Sequence, residues 1–342
     1  MKRLNLLGNT VSDFEHIMRS LGEKPYRGRQ VFKWLYQVLQ SDFNRMTNLS
    51  RSLRQRLEER YEFVGPEPER SAVSSDGTEK FLFRLADDAL IETVLIPEGG
   101  KRTVCISSQA GCALGCAFCA TGKMGFTRNL TAGEIVWQLL YLRRRGGDEA
   151  FQNIVFMGMG EPLLNYDEMV RAIEIISSEI GLSVSAKKIT VSTVGIVPGI
   201  YQLADSGLKV NLAISLHAAD GEKRKKIIPI AKKYGIKDLT EAVRYFAKKR
   251  RKRVTFEYVL MGGFNDTRQD ALALARMIAG IPCKINIIAY NPVAGLPHRR
   301  PSDDEVDRFA QWLYPRAPAV TVRKSRGLDI EAACGQLAGK YV

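Results

Sequence analysis

The stretch Gly111-Cys112-Ala113-Leu114-Gly115-Cys116-Ala117-Phe118-Cys119 sets three cysteines in the spacing C-x3-C-x2-C. Spacings this short let a single loop wrap a metal site, with glycine where the backbone bends sharply. Zinc normally takes four protein ligands, as two close pairs. Here there are three, and no histidine stands nearby. Three thiolates on a four-iron cluster leave one iron open to an exogenous ligand, with zinc or a structural role as the alternative. Cys105 precedes the loop by seven residues, while Cys283 and Cys334 stand apart.

Working outward, strand-like runs recur at Thr103–Ser107, Asn153–Met157, Lys188–Ser192, Lys209–Ser215, Val254–Leu260 and Lys284–Ala289. Helical patterns begin near Thr131, Asp167, Val197, Asp238, Asp266 and Ser302, one after each strand. Six successive βα units predict a parallel sheet, either open and doubly wound or curved into a partial barrel. Both architectures collect ligands at the C-terminal strand ends. The cysteine loop follows the first strand, and Gly158-Met159-Gly160-Glu161-Pro162-Leu163 follows the second. Ser192 and Thr193 end the third, Ser215-Leu216-His217 the fourth, and Tyr290-Asn291-Pro292 follows the sixth. Each polar stop alone is an ordinary cap or turn residue; four on successive strand ends point to a site.

Before the first βα unit lie three amphipathic helical patterns, Ser12–Leu21, Arg27–Leu39 and Ser50–Tyr61, with Ser12 and Ser50 as expected N-caps. Two strand-like runs follow, Lys80–Leu85 and Ala89–Ile96, joined at Asp87-Asp88. The segments Pro25-Tyr26-Arg27-Gly28-Arg29-Gln30 and Lys33-Trp34-Leu35-Tyr36 mix cations with aromatics, as a nucleic-acid surface would. Packing of the aromatics inward is the competing reading.

Among 342 residues, 51 basic against 37 acidic side chains leave a net charge of +14, which favours a polyanionic partner. The basic start Met1-Lys2-Arg3 is followed by an apolar run too short for a signal peptide, and no stretch is long enough to span a membrane. A cytoplasmic location is expected, where six cysteines do not read as a disulfide framework.

These residues carry a resemblance. The C-x3-C-x2-C loop after a first strand resembles the radical S-adenosylmethionine (SAM) superfamily. Cys105-Ile106-Ser107-Ser108-Gln109-Ala110-Gly111-Cys112, Cys119-Ala120-Thr121-Gly122, Gly125-Phe126, Arg128-Asn129-Leu130 and the ending Arg326 to Leu337 resemble the RlmN/Cfr family of RNA adenine methyltransferases. The resemblance covers nearly the whole chain. It implies an α/β fold, a partial (β/α)6 barrel with a small helical N-terminal accessory domain, divided as 1–95 and 96–342. One [4Fe-4S] cluster would sit on Cys112, Cys116 and Cys119. SAM would be held by Gly160, Glu161, Ser192, Ser215, Leu216, His217 and Asn291.

The implied reaction methylates carbon 2 of an adenine in 23S rRNA, with tRNA a second candidate substrate. Carbon 2 lies between two ring nitrogens and is too electron-poor to attack a methyl sulfonium. In the family mechanism Cys334 accepts a methyl group from one SAM. A radical derived from a second SAM removes a hydrogen from it, and the methylene radical adds to the ring. The adduct loses one electron, and Glu92, an acid within the apolar run Ile91-Glu92-Thr93-Val94, takes the ring proton. Cys105 then attacks the sulfur of Cys334, releasing product and leaving a disulfide. The resemblance also implies an electron-donor protein such as flavodoxin or ferredoxin, and a monomer. Cfr-type methylation of carbon 8 and a small-molecule radical SAM enzyme are the alternatives. Pro162 and Gly125-Phe126 favour the RlmN side. Cys283 is assigned to the core. RNA contacts are expected first at Lys223-Arg224-Lys225-Lys226 and Arg299-Arg300, ahead of the run Lys248–Arg253.

Overall fold

The structure, a computed structural model, describes residues 3–339; Met1 and Lys2 of the basic start lie outside it. Three helices open the chain: α1 (Val11–Ser20), α2 (Tyr26–Tyr36) and α3 (Arg51–Arg60). Thr10, not Ser12, caps α1: its hydroxyl accepts from the Asp13 amide while the Asp13 carboxylate accepts from the Thr10 amide at 2.7 Å. This reciprocal box satisfies two orphan donors that Ser12, already inside the helix, cannot reach. Ser50 caps α3 as expected. The helices close over a small aromatic core, in which the rings of Phe32 and Tyr36 lie 4.7 Å apart and those of Tyr36 and Phe63 5.2 Å apart. The Tyr36 hydroxyl accepts from the Gly8 amide at 2.7 Å, so this buried phenol is not left unpaired.

The rest of the chain is organised on one ten-stranded sheet whose strands neighbour one another in strict chain order. They are β1 (Pro68–Val73), β2 (Glu79–Arg84), β3 (Leu90–Glu98), β4 (Lys101–Cys105), β5 (Asn153–Phe156), β6 (Ile189–Thr193), β7 (Asn211–Ser215), β8 (Val254–Leu260), β9 (Cys283–Ala289) and β10 (Val320–Arg323). Pairing is antiparallel from β1 to β4 and parallel from β4 to β10. The order decides between the two expected architectures. A doubly wound sheet reverses its strand order to put helices on both faces. Here every right-handed crossover steps the same way, so the helices share one face and the other curves around an interior. This is the partial barrel. Its strands are buried on both sides: all seven residues of β8 are buried.

Two strands escape the βα pattern, β1 and β10, both at sheet edges and both with largely exposed or half-buried side chains that leave no apolar period to read. The boundary expected at 95/96 falls inside β3, which is hydrogen-bonded on both edges, so the sheet runs unbroken from the hairpin into the barrel. The segment after β10 crosses the open side of the barrel to the turn between β1 and β2. There Asp76 accepts from the Gly327 amide at 3.0 Å, and Asp329 accepts from the Ser74 hydroxyl at 2.5 Å and the Ser75 amide at 3.0 Å. Among the described residues no helix is long and apolar enough to cross a membrane.

Candidate active site

A cavity of about 140 Å³ opens at the C-terminal ends of the parallel strands. Cys112, Cys116, Cys119, Gly160, Glu161, Ser192, Ser215, His217 and Cys334 all line it, from the cysteine loop, three further strand ends and the C-terminal segment. The cysteine loop is shaped by a short ribbon, in which Gln109–Gly111 pairs antiparallel with Phe126–Asn129. Gly111 has φ +73°, and a Cβ there would lie 2.0 Å from the Gly125 carbonyl oxygen, so only glycine lets the loop close. Within the ribbon, Arg128 forks onto Asp87 and Glu134 and pins the loop's exit to the hairpin and to helix Ala132–Gly146.

The second motif is held against the first. Gly160, at φ +97°, leaves no room for a Cβ beside Gln109, whose side-chain oxygen accepts from the Glu161 amide at 2.8 Å. The Glu161 carboxylate accepts from the amides of Leu163 at 3.1 Å and Val194 at 2.9 Å. Burial dominates these bonds and raises its pKa to about 7. His217 has φ 56° and packs edge-on against Phe118 with ring centres 4.5 Å apart. The Val259 amide donates to its Nδ1 at 3.0 Å, which leaves the proton on Nε2. Burial, then the charge of Arg224, lowers its pKa to about 3, so the ring is neutral at any working pH. Asn265 fixes the turn by donating to the carbonyls of His217 at 2.6 Å and Val259 at 2.8 Å.

A neighbouring cavity of about 40 Å³ is lined by Cys105, Glu98, Asn291, Arg323 and Cys334, among others. Cys334 therefore lines both cavities, together with Met157 and Ile288. Cys334 is exposed, and it borders both of these open clefts. Burial raises its pKa, Arg323 opposes that rise, and Glu257 adds to it. Cys105, fully enclosed at the end of β4, is pushed far up by burial and then by Cys334, with Arg323 acting against both. Burial raises Cys112 to about 11 and Cys116 well above its ordinary value. Free of metal these are neutral thiols, and coordination would deprotonate them. Among the described residues no three His, Cys, Asp or Glu side chains converge on a point for a single metal ion. The loop thiols are spread over the wall of one cavity, as a multi-iron cluster needs, and Glu161 offers an acceptor beside them.

Three expected site residues, two as SAM contacts and one as the base, stand differently. Asn291 lines only the second cavity and is fully engaged: its Nδ2 donates to the Cys334 carbonyl at 3.1 Å, and its Oδ1 accepts from Arg300 at 2.9 Å and Ser325 at 2.6 Å. Leu216 is fully buried and lines neither cavity; its carbonyl accepts from Arg224 at 3.2 Å. Glu92 also lines neither. It is 1% exposed, lies 3.2 Å from the Lys80 ammonium, and accepts from the amides of Ala338 at 2.8 Å and Gly339 at 3.2 Å. Cys283 is buried at the start of β9.

Most of the cations expected to meet RNA are already committed. Arg224 is 1% exposed and donates to the carbonyls of Leu216 and Val194, bracing two strand ends beside the cysteine loop. Lys223 pairs with Asp270 at 2.8 Å, Lys225 with Glu222 at 2.7 Å and Arg299 with Glu305 at 2.8 Å. Of the run 248–253, Arg250 and Lys252 donate to loop carbonyls at 207–210, a capping use of charge. The aromatic–cation segment divides between the two readings. Phe32, Leu35 and Tyr36 are core, while Tyr26, Arg29 and Lys33 share the exposed face of α2. Arg29, Lys33 and Trp34 line a surface groove with Asn48 and Ile180.

Glu257 and Arg323 were not singled out in the sequence. Glu257 lines the main cavity; its Oε1 accepts from Asn286 at 2.9 Å and its Oε2 is buried with no hydrogen-bond partner. Burial raises its pKa. An acid within the apolar strand β8 was the available signal, the same one that drew attention to Glu92.

A partial parallel barrel whose first strand leads into a C-x3-C-x2-C loop facing a cavity defines a radical SAM protein, and residues 106–275 match the Radical SAM superfamily. Residues 4–63 match the Ribosomal RNA large subunit methyltransferase N-terminal domain. The chain is 47% identical over 337 residues to the dual-specificity RNA methyltransferase RlmN of Geobacter sulfurreducens, covering 98% of this chain and 92% of that one. It is 46% identical to RlmN of Lawsonia intracellularis, covering 99% and 98%. A crystal structure of a radical SAM methyltransferase from Sphaerobacter thermophilus superposes with a TM-score of 0.93 at 44% identity, covering 98% of this chain and all of that one. The chain belongs to the RlmN family of radical SAM RNA methyltransferases. Membership implies a four-iron cluster and SAM, and the cavity's thiols, glycines and Glu161 fit both.

Proposed function

We propose that the protein methylates carbon 2 of an adenine in 23S rRNA and in tRNA, with Cys334 as methyl carrier and Cys105 as the thiol that releases it. One observation carries this reading: of the three residues that line both the cavity of the loop cysteines and the cavity of Cys105, Met157, Ile288 and Cys334, Cys334 brings a thiol. A carrier must meet a methyl donor on one side and a resolving thiol on the other.

In this reading Cys112, Cys116 and Cys119 hold one [4Fe-4S] cluster. Gly160, Glu161, Ser192, Ser215 and His217 hold SAM, with Leu216 shaping the turn and Asn291 seating the Cys334 main chain. The bound cluster and SAM supply a carbon-centred radical. Everything else is the work of this chain. Cys334 presents its sulfur to the cavity, and the Arg323 guanidinium favours its thiolate. Glu161 accepts a hydrogen bond from the SAM amino group, which needs the carboxylate ionised. His217 offers its Nε2–H as a donor. Cys105 attacks the Cys334 sulfur, and an external reductant of the flavodoxin or ferredoxin kind supplies electrons. Glu92 takes the ring proton once it is released from Ala338 and Gly339. The helical module with its exposed Tyr26, Arg29 and Lys33 contacts RNA ahead of the barrel cations, and the protein acts as a cytoplasmic monomer.

Anaerobic turnover of the cluster-loaded protein with RNA and SAM, followed by nucleoside mass spectrometry, tests the reading. The expected product is 2-methyladenosine, and 8-methyladenosine would overturn the regiochemistry. Cys105→Ala should stall with RNA attached through Cys334, seen as a slow, protease-sensitive band on a denaturing gel. Normal product release by Cys105→Ala would remove Cys105 from the reaction.

A further inference from the structure

The hairpin β1–β2 and strand β3 carry an ion pair, Lys80–Glu92, of which the reaction outlined above uses only the acid. Lys80 and Glu92 lie on adjacent antiparallel strands, diagonally placed: Lys80 faces Val94 and Glu92 faces Leu82 across the ladder, so both side chains leave the same face of the sheet. They are 6% and 1% exposed. Removing two charges from water costs more than an isolated pair returns, so stability alone does not account for such a pair. Its remaining bonds show what it holds. Lys80 Nζ donates to the Glu331 carbonyl at 3.4 Å, and Glu92 Oε2 accepts from the Ala338 and Gly339 amides. The pair therefore grips the chain on both sides of Cys334, three residues before it and four and five after. The turn that leads into Lys80 adds Asp76 on Gly327 and Ser74 and Ser75 on Asp329.

We propose that Lys80 is a positioning residue that, through its pair with Glu92, clamps the segment 331–339 and so seats the sulfur of Cys334 between the two cavities. The carboxylate serves the clamp only while Lys80 neutralises it. The same two amides that it holds occupy the oxygen through which it would accept a proton. Release of 338–339 is therefore the step that converts Glu92 from anchor to base. This rests on Cys334 being the methyl carrier, whereas the clamp itself is tested without that assumption.

The test is amide hydrogen exchange on the anaerobic, cluster-loaded protein and its Lys80→Met variant, with iron content as the check on folding. Lys80→Met should keep its iron and the protection of strand β8, while the amides of 338 and 339 exchange at least about tenfold faster. In turnover it should release more 5′-deoxyadenosine per methylated adenine than the unaltered protein, because radical formation outlasts a correctly seated carrier. Lys80→Arg, which keeps the charge, should recover most of both. If Lys80→Met loses iron, the apolar pair Lys80→Met/Glu92→Leu replaces it; it lacks the buried orphan charge and should show the same loosening at 338 and 339. Unchanged exchange at those amides in a folded variant overturns the clamp. Faster exchange with an unchanged product ratio overturns the positioning role. Absence of an S-methyl group on Cys334 in the unaltered protein sinks the carrier reading and leaves the exchange result to decide the clamp alone.

Discussion

Cys105 and Cys334 line one cavity although most of the chain separates them, one at the end of the first barrel strand and the other on a segment laid across the barrel's open side. Arg323, at the end of the last strand, lines the same cavity and bears on both thiols. This second cavity is thus assembled at the seam where the partial barrel meets its own C-terminal segment.

The opposed charges at that seam should tune Cys334. Arg323 holds its pKa down and Glu257 holds it up. Arg323→Met should slow alkylation of Cys334 at neutral pH by about threefold to tenfold, and Glu257→Gln should speed it, because the thiolate is the reacting form. The measurement is the pH dependence of alkylation in a Cys112→Ala background, where lack of the cluster leaves the thiol unmethylated. Equal rates in all three proteins would mean that neither charge reaches the sulfur.

Glu161 predicts a pH dependence of SAM binding. Burial raises its pKa from 4.5 to about 7. Between those values the folded protein holds a proton that the unfolded chain has lost, so this group's contribution to stability falls as pH rises and levels off above 7. An amino group bound to the carboxylate favours its ionised form and expels the proton. Affinity for SAM should therefore increase from about pH 6 to about pH 8, approaching tenfold per unit on the acid side. Equilibrium dialysis with the cluster-loaded protein reads this directly. Glu161→Gln should bind more weakly with a flatter profile; an unaltered profile would exclude Glu161 from the SAM contact.

RNA affinity should fall steeply with salt, and the helical module should carry more of that slope than the barrel-mouth cations. Arg29→Ala and Lys33→Ala should each reduce the slope of log K against log salt by roughly 0.7–0.9, the share of one phosphate contact. Arg299, held by Glu305 at 2.8 Å, should contribute less when replaced. Filter binding across a salt series checks both, and the reverse ranking would move the RNA path to the barrel mouth.

The sequence by itself determined the parallel strands, the helices after them and the cysteine loop. Those rest on local signals: apolar period, N-caps and the close spacing of Cys112, Cys116 and Cys119. It also marked which strand ends would gather, because every parallel strand delivers its C-terminal end to one rim. Tertiary structure alone decided the rest. Strand order, a non-local property, chose the partial barrel over the doubly wound sheet. Strands β1 and β10 lack a buried period and exist because a neighbouring edge pairs with them. Arg224 reads as a surface cation in a basic run, yet the turns of Leu216 and Val194 bury it against two carbonyls. Glu92 reads as an acid within an apolar run, and nothing local marks Lys80 as its partner. Only the return of the C-terminal segment across the barrel gives them a shared task, because the amides they hold come from the far end of the chain.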